Sequence, residues 1–129
     1  MSHEAITAVV NANNAAVGAG DMDANLATFE ENGVLIGQPG TAAQGTPALR
    51  AAFEGFMAIN PQITVTAHEV IVADDIALHN STWTMSGAAP DGSVIEQSSY
   101  SVVVLRRQKN GEWLMVIDNP FGALLTQDA

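Results

Sequence analysis

The second half of the chain constrains the fold most. After Pro61, β-branched residues dominate and turn signals recur at strand spacing, which predicts strands at about 62–73, 76–87, 94–108 and 112–119. The turn between the last two contains Asn110-Gly111, a strong hairpin signal because both residues tolerate positive φ. Strands that follow one another through short turns pair antiparallel, so we expect a mostly antiparallel meander.

The first 60 residues predict helices with one short strand between them. Apolar residues at helical spacing indicate a helix from Glu4 to about Gly18, and Asp21 caps a shorter helix that reaches Asn32-Gly33. A strand at 34–36 follows, and Thr46-Pro47 begins a third helix that ends before Pro61. Helices first and strands after predict one α+β domain over residues 1–129, with the helices on one face of a curved sheet.

Charge and composition exclude several classes of protein. The chain has 14 acidic residues against 4 Lys and Arg, a formal net charge of −10, so it lacks the cationic patch that nucleic acids and anionic membranes require. It has no cysteine, which excludes disulfides, thiol catalysis and Cys-ligated zinc and is compatible with the cytoplasmic location that we expect. Charged residues make up only 14%, which indicates an apolar surface region such as an oligomer interface.

Six stretches carry a resemblance to a known family: GDMDA at 20–24, FEENGV at 29–34, GTPALR at 45–50, LRR at 105–107, NGEW at 110–113 and IDNPFG at 117–122. Together with the element order, they resemble the nuclear transport factor 2-like superfamily and its SnoaL-like branch. The resemblance implies a cone-shaped, curved, mostly antiparallel sheet wrapped around three N-terminal helices, a cystatin-like α+β barrel. This fold hosts isomerases, cyclases, dehydratases and non-enzymatic binding domains, so it does not give the function.

The resemblance to ketosteroid isomerase does not extend to that enzyme's catalytic groups. The position of its carboxylate base falls at Gly37, that of its oxyanion-donating tyrosine at Asn13, and that of its protonated acid near Val103. We therefore do not expect steroid isomerisation by that mechanism.

A two-residue turn at Asp74-Asp75 fixes which side chains of the first hairpin point into the cone. It pairs Val72 with Ala77, Val70 with His79, His68 with Ser81 and Thr66 with Trp83, and we assign this face, with Met85, to the interior. The opposite face would carry Ile63, Val65, Ala67, Glu69 and Ile71 with Leu78, Asn80, Thr82 and Thr84. Because this convex face has few charges and no helix to cover it, we expect a homodimer through a sheet-to-sheet contact.

His68 and His79 are the first candidates for chemistry. They would be diagonal neighbours roughly 7 Å apart at Cβ. Each could be a hydrogen-bonded core or rim residue, a general acid or base, or a metal ligand. No Asp or Glu joins them at ligand spacing, so we expect no metal.

The other candidates are polar or aromatic residues expected at the cavity. Asn13 lies on an apolar helix stripe and would bond a ligand or a backbone group, and Tyr100 would donate its hydroxyl into the cavity. Trp83, with Met85, would form a cavity wall or plain core. Asp118-Asn119 would form a turn, a salt bridge to Arg106 or Arg107, or a carboxylate at the cavity mouth.

These residues predict a pocket for a small, largely apolar carbonyl compound. The enzymatic hypothesis is acid–base chemistry without a cofactor, such as cyclisation, dehydration or isomerisation. His79, helped by His68, would move the proton, while Asn13, Tyr100 and Asn119 would contact the ligand. The alternative is a non-catalytic ligand-binding or protein-association domain.

Overall fold

The computed structural model describes residues 2–38 and 40–122. The helices are α1 (Ser2–Ala19), α2 (Met22–Leu26) and α3 (Thr46–Met57). The strands are β1 (Phe29–Gln38), β2 (Thr41–Gln44), β3 (Gln62–Ala73), β4 (Ile76–Ala88), β5 (Val94–Arg107) and β6 (Trp113–Asn119). The predicted α+β class is confirmed, with the helices at the N-terminal end and the long strands after them.

The strands form one curved sheet in the order β2-β1-β6-β5-β4-β3. Every neighbouring pair is antiparallel except β1 with β6, which is parallel. In the described part of the chain the edge strands β2 and β3 do not pair with each other, so the sheet is open. The helices pack on its concave face, and the apolar core lies between the two layers.

The region after α2 differs from the prediction. The helix ends at Leu26, and Phe29 begins a ten-residue strand instead of completing the helical stripe. Strand β1 bulges between Phe29 and Val34, and a Cβ on Gly33 would lie 2.8 Å from the Phe29 ring, so this close approach requires glycine. Strand β2, which the sequence analysis did not predict, pairs with the far end of β1.

The hairpin of β3 and β4 confirms the predicted turn and most of the register. Val70 pairs with His79 and His68 with Ser81, but Val65, not Thr66, pairs with Trp83. Thr66 is the extra residue of a β-bulge, and its hydroxyl lies 2.7 Å from the Thr82 hydroxyl. The bulge turns Ile63 and Val65 to the cone interior, so their predicted place on the convex face was wrong.

Interior positions of β4 follow the predicted alternation. The side chains of Ala77, His79, Ser81, Trp83 and Met85 are all buried. None of the described helices is both long enough and apolar enough to span a bilayer.

Candidate functional site

A cavity of about 450 Å³ lies between α1, α3 and the concave face of the sheet. This volume is within the range of small-molecule sites. Aliphatic and aromatic side chains form most of its wall. Its polar wall residues are Asn13, Asn14, Ser81, Gln97, Ser101 and Asp118.

Asp118 contributes the only carboxyl group among the described residues of the cavity wall. It lies on β6 beside Val103 of β5 and Leu35 of β1, both buried and apolar. Burial raises the pKa of Asp118 from 3.8 to about 7, because the ionised carboxylate loses its hydration and gains no compensating partner. Asp118 is thus a carboxyl group that can take or give a proton near neutral pH.

A pair of serine hydroxyls lies on the same wall. Ser81 of β4 and Ser101 of β5 face each other with their Oγ atoms 2.8 Å apart. One hydroxyl donates to the other, so one O–H proton of the pair stays free for a ligand. Ser101 is two residues from Val103, the cross-strand partner of Asp118, which puts the two side chains roughly 7 Å apart at Cβ.

Asn13 enters the cavity from α1 and is held by α2 and the residues after it. Its side-chain Nδ2 donates to Asn25 Oδ1 at 2.6 Å and to Thr28 Oγ1 at 3.0 Å. Both amide protons are therefore used within the protein. Neither expected partner, a ligand or a backbone group, receives these protons, which go instead to the side chains of Asn25 and Thr28.

The sequence from residue 10 to residue 114 matches the family model of the SnoaL-like domain. This match spans more than half of the chain. The chain belongs to the SnoaL-like family. The predicted nuclear transport factor 2-like superfamily and SnoaL-like branch are thereby confirmed.

Solved structures share the fold of this SnoaL-like domain. A ketosteroid isomerase-like protein from Erwinia carotovora atroseptica has a TM-score of 0.78 at 22% identity, covering 90% of this chain and 92% of its own. A candidate dehydratase of the NTF2-like family from Streptomyces avermitilis has 0.79 at 19%, covering 90% and 92%. A candidate calcium/calmodulin-dependent protein kinase II association domain from Xanthomonas campestris has 0.77 at 18%, covering 91% and 86%. No curated protein matches the sequence.

The aromatic side of the cavity of this SnoaL-like domain is tied to the end of β6. The Trp83 indole N–H donates to the Pro120 carbonyl at 2.9 Å, and its ring meets the Phe121 ring edge-on at 5.7 Å between centroids. Trp83 is buried and lines the cavity, as predicted. It forms a fixed apolar wall against which a flat ligand could pack.

His68 and His79 are neighbours, as the register predicts, but neither lines the cavity. Their rings stack with centroids 5.4 Å apart and planes 7° apart. His79 is buried with no hydrogen-bond partner on either ring nitrogen, and burial together with nearby His68 lowers the pKa of His79. His68 is exposed in a groove beside α1. The expected proton transfer by these histidines to a ligand in the cavity does not fit this arrangement, because neither side chain reaches the cavity wall.

Three other predicted site residues also lie off the cavity wall. Tyr100 pairs with Thr82 on the convex face and is 41% exposed, so its hydroxyl does not enter the cone. Met85 is buried in the interior beside the cavity, and Asn119 pairs with Val102, one residue out of step with the inward-facing Asp118. Of the alternatives for Asp118, the salt bridge is not formed, because Arg106 pairs with Glu30 and Arg107 with Asp75.

Ser101 and Gln97 line the cavity but were not predicted to do so, and Ser81 was predicted on the interior face but not as a site residue. The carboxylate at the cavity mouth was one of the alternatives for Asp118. Leu105 pairs with Met115 and Val104 with Ile117, so Val116 is the extra residue of a bulge in β6. Strict alternation from Trp113 and Met115 would point Ile117 inward and Asp118 outward. Within the described residues, no three His, Asp or Glu side chains are grouped so as to hold a metal ion.

Proposed function

We propose that this SnoaL-like domain binds a small, largely apolar carbonyl compound in its cavity and that Asp118 transfers a proton at the carbon next to the carbonyl. The observation that carries the proposal is the buried carboxyl group of Asp118 on the cavity wall, with its pKa raised to about 7. A general acid or base works best when its pKa is near the working pH. A solvated surface carboxyl would be almost fully ionised there and a weak base.

The chemistry needs only groups that the cavity contains. Ionised Asp118 takes the proton from the α-carbon, and the electron pair of the C–H bond moves into the enolate. The free hydroxyl proton of the Ser81 and Ser101 pair donates to the enolate oxygen. Protonated Asp118 then completes one of three reactions. It returns the proton to another carbon of a conjugated enolate in an isomerisation, or gives it to the departing β-hydroxyl, which leaves as water, in a dehydration. In a ring closure the enolate carbon attacks a second carbonyl, whose oxygen takes the proton.

Hydrogen exchange tests the proposal without knowledge of the natural substrate. The probe is 1-tetralone, a flat bicyclic ketone whose α-hydrogens exchange with deuterium from D2O through the enolate, as followed by NMR. We expect the parent protein to exceed the buffer rate and Asp118→Asn to lose about 100-fold or more of that acceleration. The matched control is Asp74→Asn, which removes one charge at the exposed β3–β4 turn.

Two results would refute the catalytic proposal. One is exchange by the parent no faster than by buffer, and the other is undiminished exchange by Asp118→Asn. Tight binding of 1-tetralone without exchange would favour the alternative, a ligand-binding domain that does no chemistry.

We also propose that the domain is a homodimer through the convex face of the sheet. Ile71, Tyr100 and Ile117 are 49%, 41% and 37% exposed there. The centre of this face is formed by uncharged side chains, namely Leu78, Asn80, Thr82, Val102 and Val104. Glu69, opposite Asn80 on the edge strand β3, places one charged side chain beside this centre. On a protein of net charge −10, a face with an uncharged centre is where a second copy can approach with least repulsion.

Sedimentation tests the dimer. We expect the parent to have a dimer mass at micromolar concentration and Ile71→Arg to be a monomer, because the charge would be buried without a partner. The control is Val94→Arg, an exposed position at the far end of β5. A monomeric parent contradicts the proposal.

A further inference from the structure

The orientation of the Asn13 amide is fixed by the hydrogen atoms around it. Thr28 has one hydroxyl proton, and it donates this proton to the Asn25 carbonyl oxygen at 2.7 Å, an atom that can only accept. The Thr28 Oγ1 atom is then left as an acceptor. The Asn13 atom 3.0 Å from it must therefore be the donor Nδ2 and not the carbonyl oxygen.

The second contact of Asn13 agrees with this orientation. Nδ2 also lies 2.6 Å from Asn25 Oδ1, which accepts the other proton. As a consequence Asn25 Nδ2 is left fully buried without a partner.

We infer that Asn13 presents its Oδ1 acceptor to the cavity, and that the cavity therefore selects ligands with an O–H or N–H group directed at α1. The inference rests on the proposed ligand site and specifies its substrate class. Asn13 is buried and lines the cavity, and its Oδ1 atom makes no hydrogen bond to any described residue. A ligand donor placed there satisfies it, whereas an ether or a second carbonyl oxygen leaves two acceptors facing each other.

The two sides of the cavity then bind different functional groups of a ligand. The sheet side offers the free serine hydroxyl and Asp118 to a carbonyl and its α-carbon. The α1 side offers the Asn13 acceptor. The preferred ligand is a largely apolar carbonyl compound with a hydroxyl or N–H group remote from the reacting carbonyl, such as a hydroxylated cyclic ketone.

Two probes that differ by one donor test this selection. They are 6-hydroxy-1-tetralone and 6-methoxy-1-tetralone, and their dissociation constants are measured by calorimetry. We expect the parent to bind the hydroxy compound at least about 10-fold more tightly, in line with one buried hydrogen bond made or lost. Asn13→Leu should remove the preference.

Two variants of Thr28, which lies outside the cavity wall, test the same inference if Asn13→Leu does not fold. Thr28→Val keeps the side-chain shape but removes the oxygen that fixes the amide, so Asn13 can rotate and the preference should fall towards equal binding. Thr28→Ser keeps the hydroxyl and should keep the preference for the hydroxy compound. A loss caused by general damage would appear in both.

The outcomes separate this inference from the proposed function. Equal binding of the two probes by the parent, no binding of either, or an unchanged preference in Asn13→Leu would overturn the selection. If these occur while hydrogen exchange still depends on Asp118, only the inference fails. A preference that depends on Asn13 while Asp118→Asn exchanges as fast as the parent would support the inference and remove the catalytic proposal.

Discussion

Replacing Asp118 by Asn should stabilise the domain, and the gain should depend on pH. The folded state raises the pKa of Asp118 from 3.8 to about 7, a difference of roughly 3 pKa units. Each unit corresponds to about 1.4 kcal/mol, so ionising the buried side chain lowers the free energy of unfolding by about 4 kcal/mol. Asn has the same shape and does not ionise.

The direction of the pH dependence follows from the number of protons that the folded and unfolded states bind. Between pH 3.8 and about 7 the folded state keeps the Asp118 proton while the unfolded state has released it. The Asp118 contribution to stability is therefore greatest below pH 3.8, falls as pH rises, and is constant above about pH 7.

Urea unfolding of parent and variant at pH 4.5 and pH 8 measures this difference. The stability of Asp118→Asn relative to the parent should be higher at pH 8 by about 3 to 4 kcal/mol than at pH 4.5. Asp74→Asn controls for the loss of one negative charge on an acidic protein. A relative stability of Asp118→Asn that is the same at both pH values, within about 0.5 kcal/mol, would show that the carboxyl is solvated, and the raised pKa that supports its catalytic role would be lost.

Two further changes test the packing that shapes the cavity. Trp83→Ala should cost roughly 3–5 kcal/mol in urea melts, because it removes a buried indole, its bond to Pro120 and its contact with Phe121; a loss under about 1 kcal/mol would contradict its burial. Gly33→Ala should cost about 1–3 kcal/mol, because the new Cβ would lie 2.8 Å from the Phe29 ring. Gly55→Ala, on α3 with nothing within 4 Å of the new Cβ, is the matched control and should be neutral or stabilising by up to about 1 kcal/mol.

The sequence predicts the fold far better than it predicts the site. Periodicity and turn residues place α1, α3 and the four long strands within a few residues, because each element satisfies its own backbone and buries its own apolar face. That His68 and His79 are neighbours also follows from the two-residue turn, whereas the stacking of their rings is seen only in the structure. Strand β2 is four residues long and mostly exposed, so it has no periodic signal.

Two bulges reverse the alternation that regular strands would have. The extra residue Thr66 reverses the alternation of β3, which moves Ile63 and Val65 into the interior. The extra residue Val116 does the same in β6, and it turns Asp118 from the convex face to the cavity. A bulge depends on how two strands meet across the sheet, and nothing at Thr66 or Val116 marks it in the chain itself. The carboxyl that the proposed chemistry requires thus owes its place to a feature that one sequence does not display.

The contribution of the buried His79 to stability should depend on pH in the direction opposite to that of Asp118. Burial first, and then the charge of nearby His68, lower the pKa of His79 from 6.5. As pH falls below 6.5 the unfolded chain takes up the proton and the folded domain does not, so the contribution of His79 to stability is present above pH 6.5 and is lost as pH falls towards the lowered value.

His79→Phe should remove this loss, because phenylalanine keeps an aromatic ring against His68 and has no proton to bind. Of the titratable side chains around the stack, His3 and Glu4 of α1 lie with His68 in the exposed groove. Glu69 of β3 borders the groove and, as the partner of Asn80, has its side chain on the convex face. All three are exposed, so water screens their charges. None of them gives either ring nitrogen of His79 a hydrogen-bond partner. Urea melts between pH 7.5 and pH 5 should show the parent losing stability relative to His79→Phe, while His3→Gln follows the parent. If His79→Phe instead loses stability in parallel with the parent over that range, His79 binds its proton as easily in the folded domain as in the unfolded chain. Such a result would show that the His79 ring is hydrated and not buried.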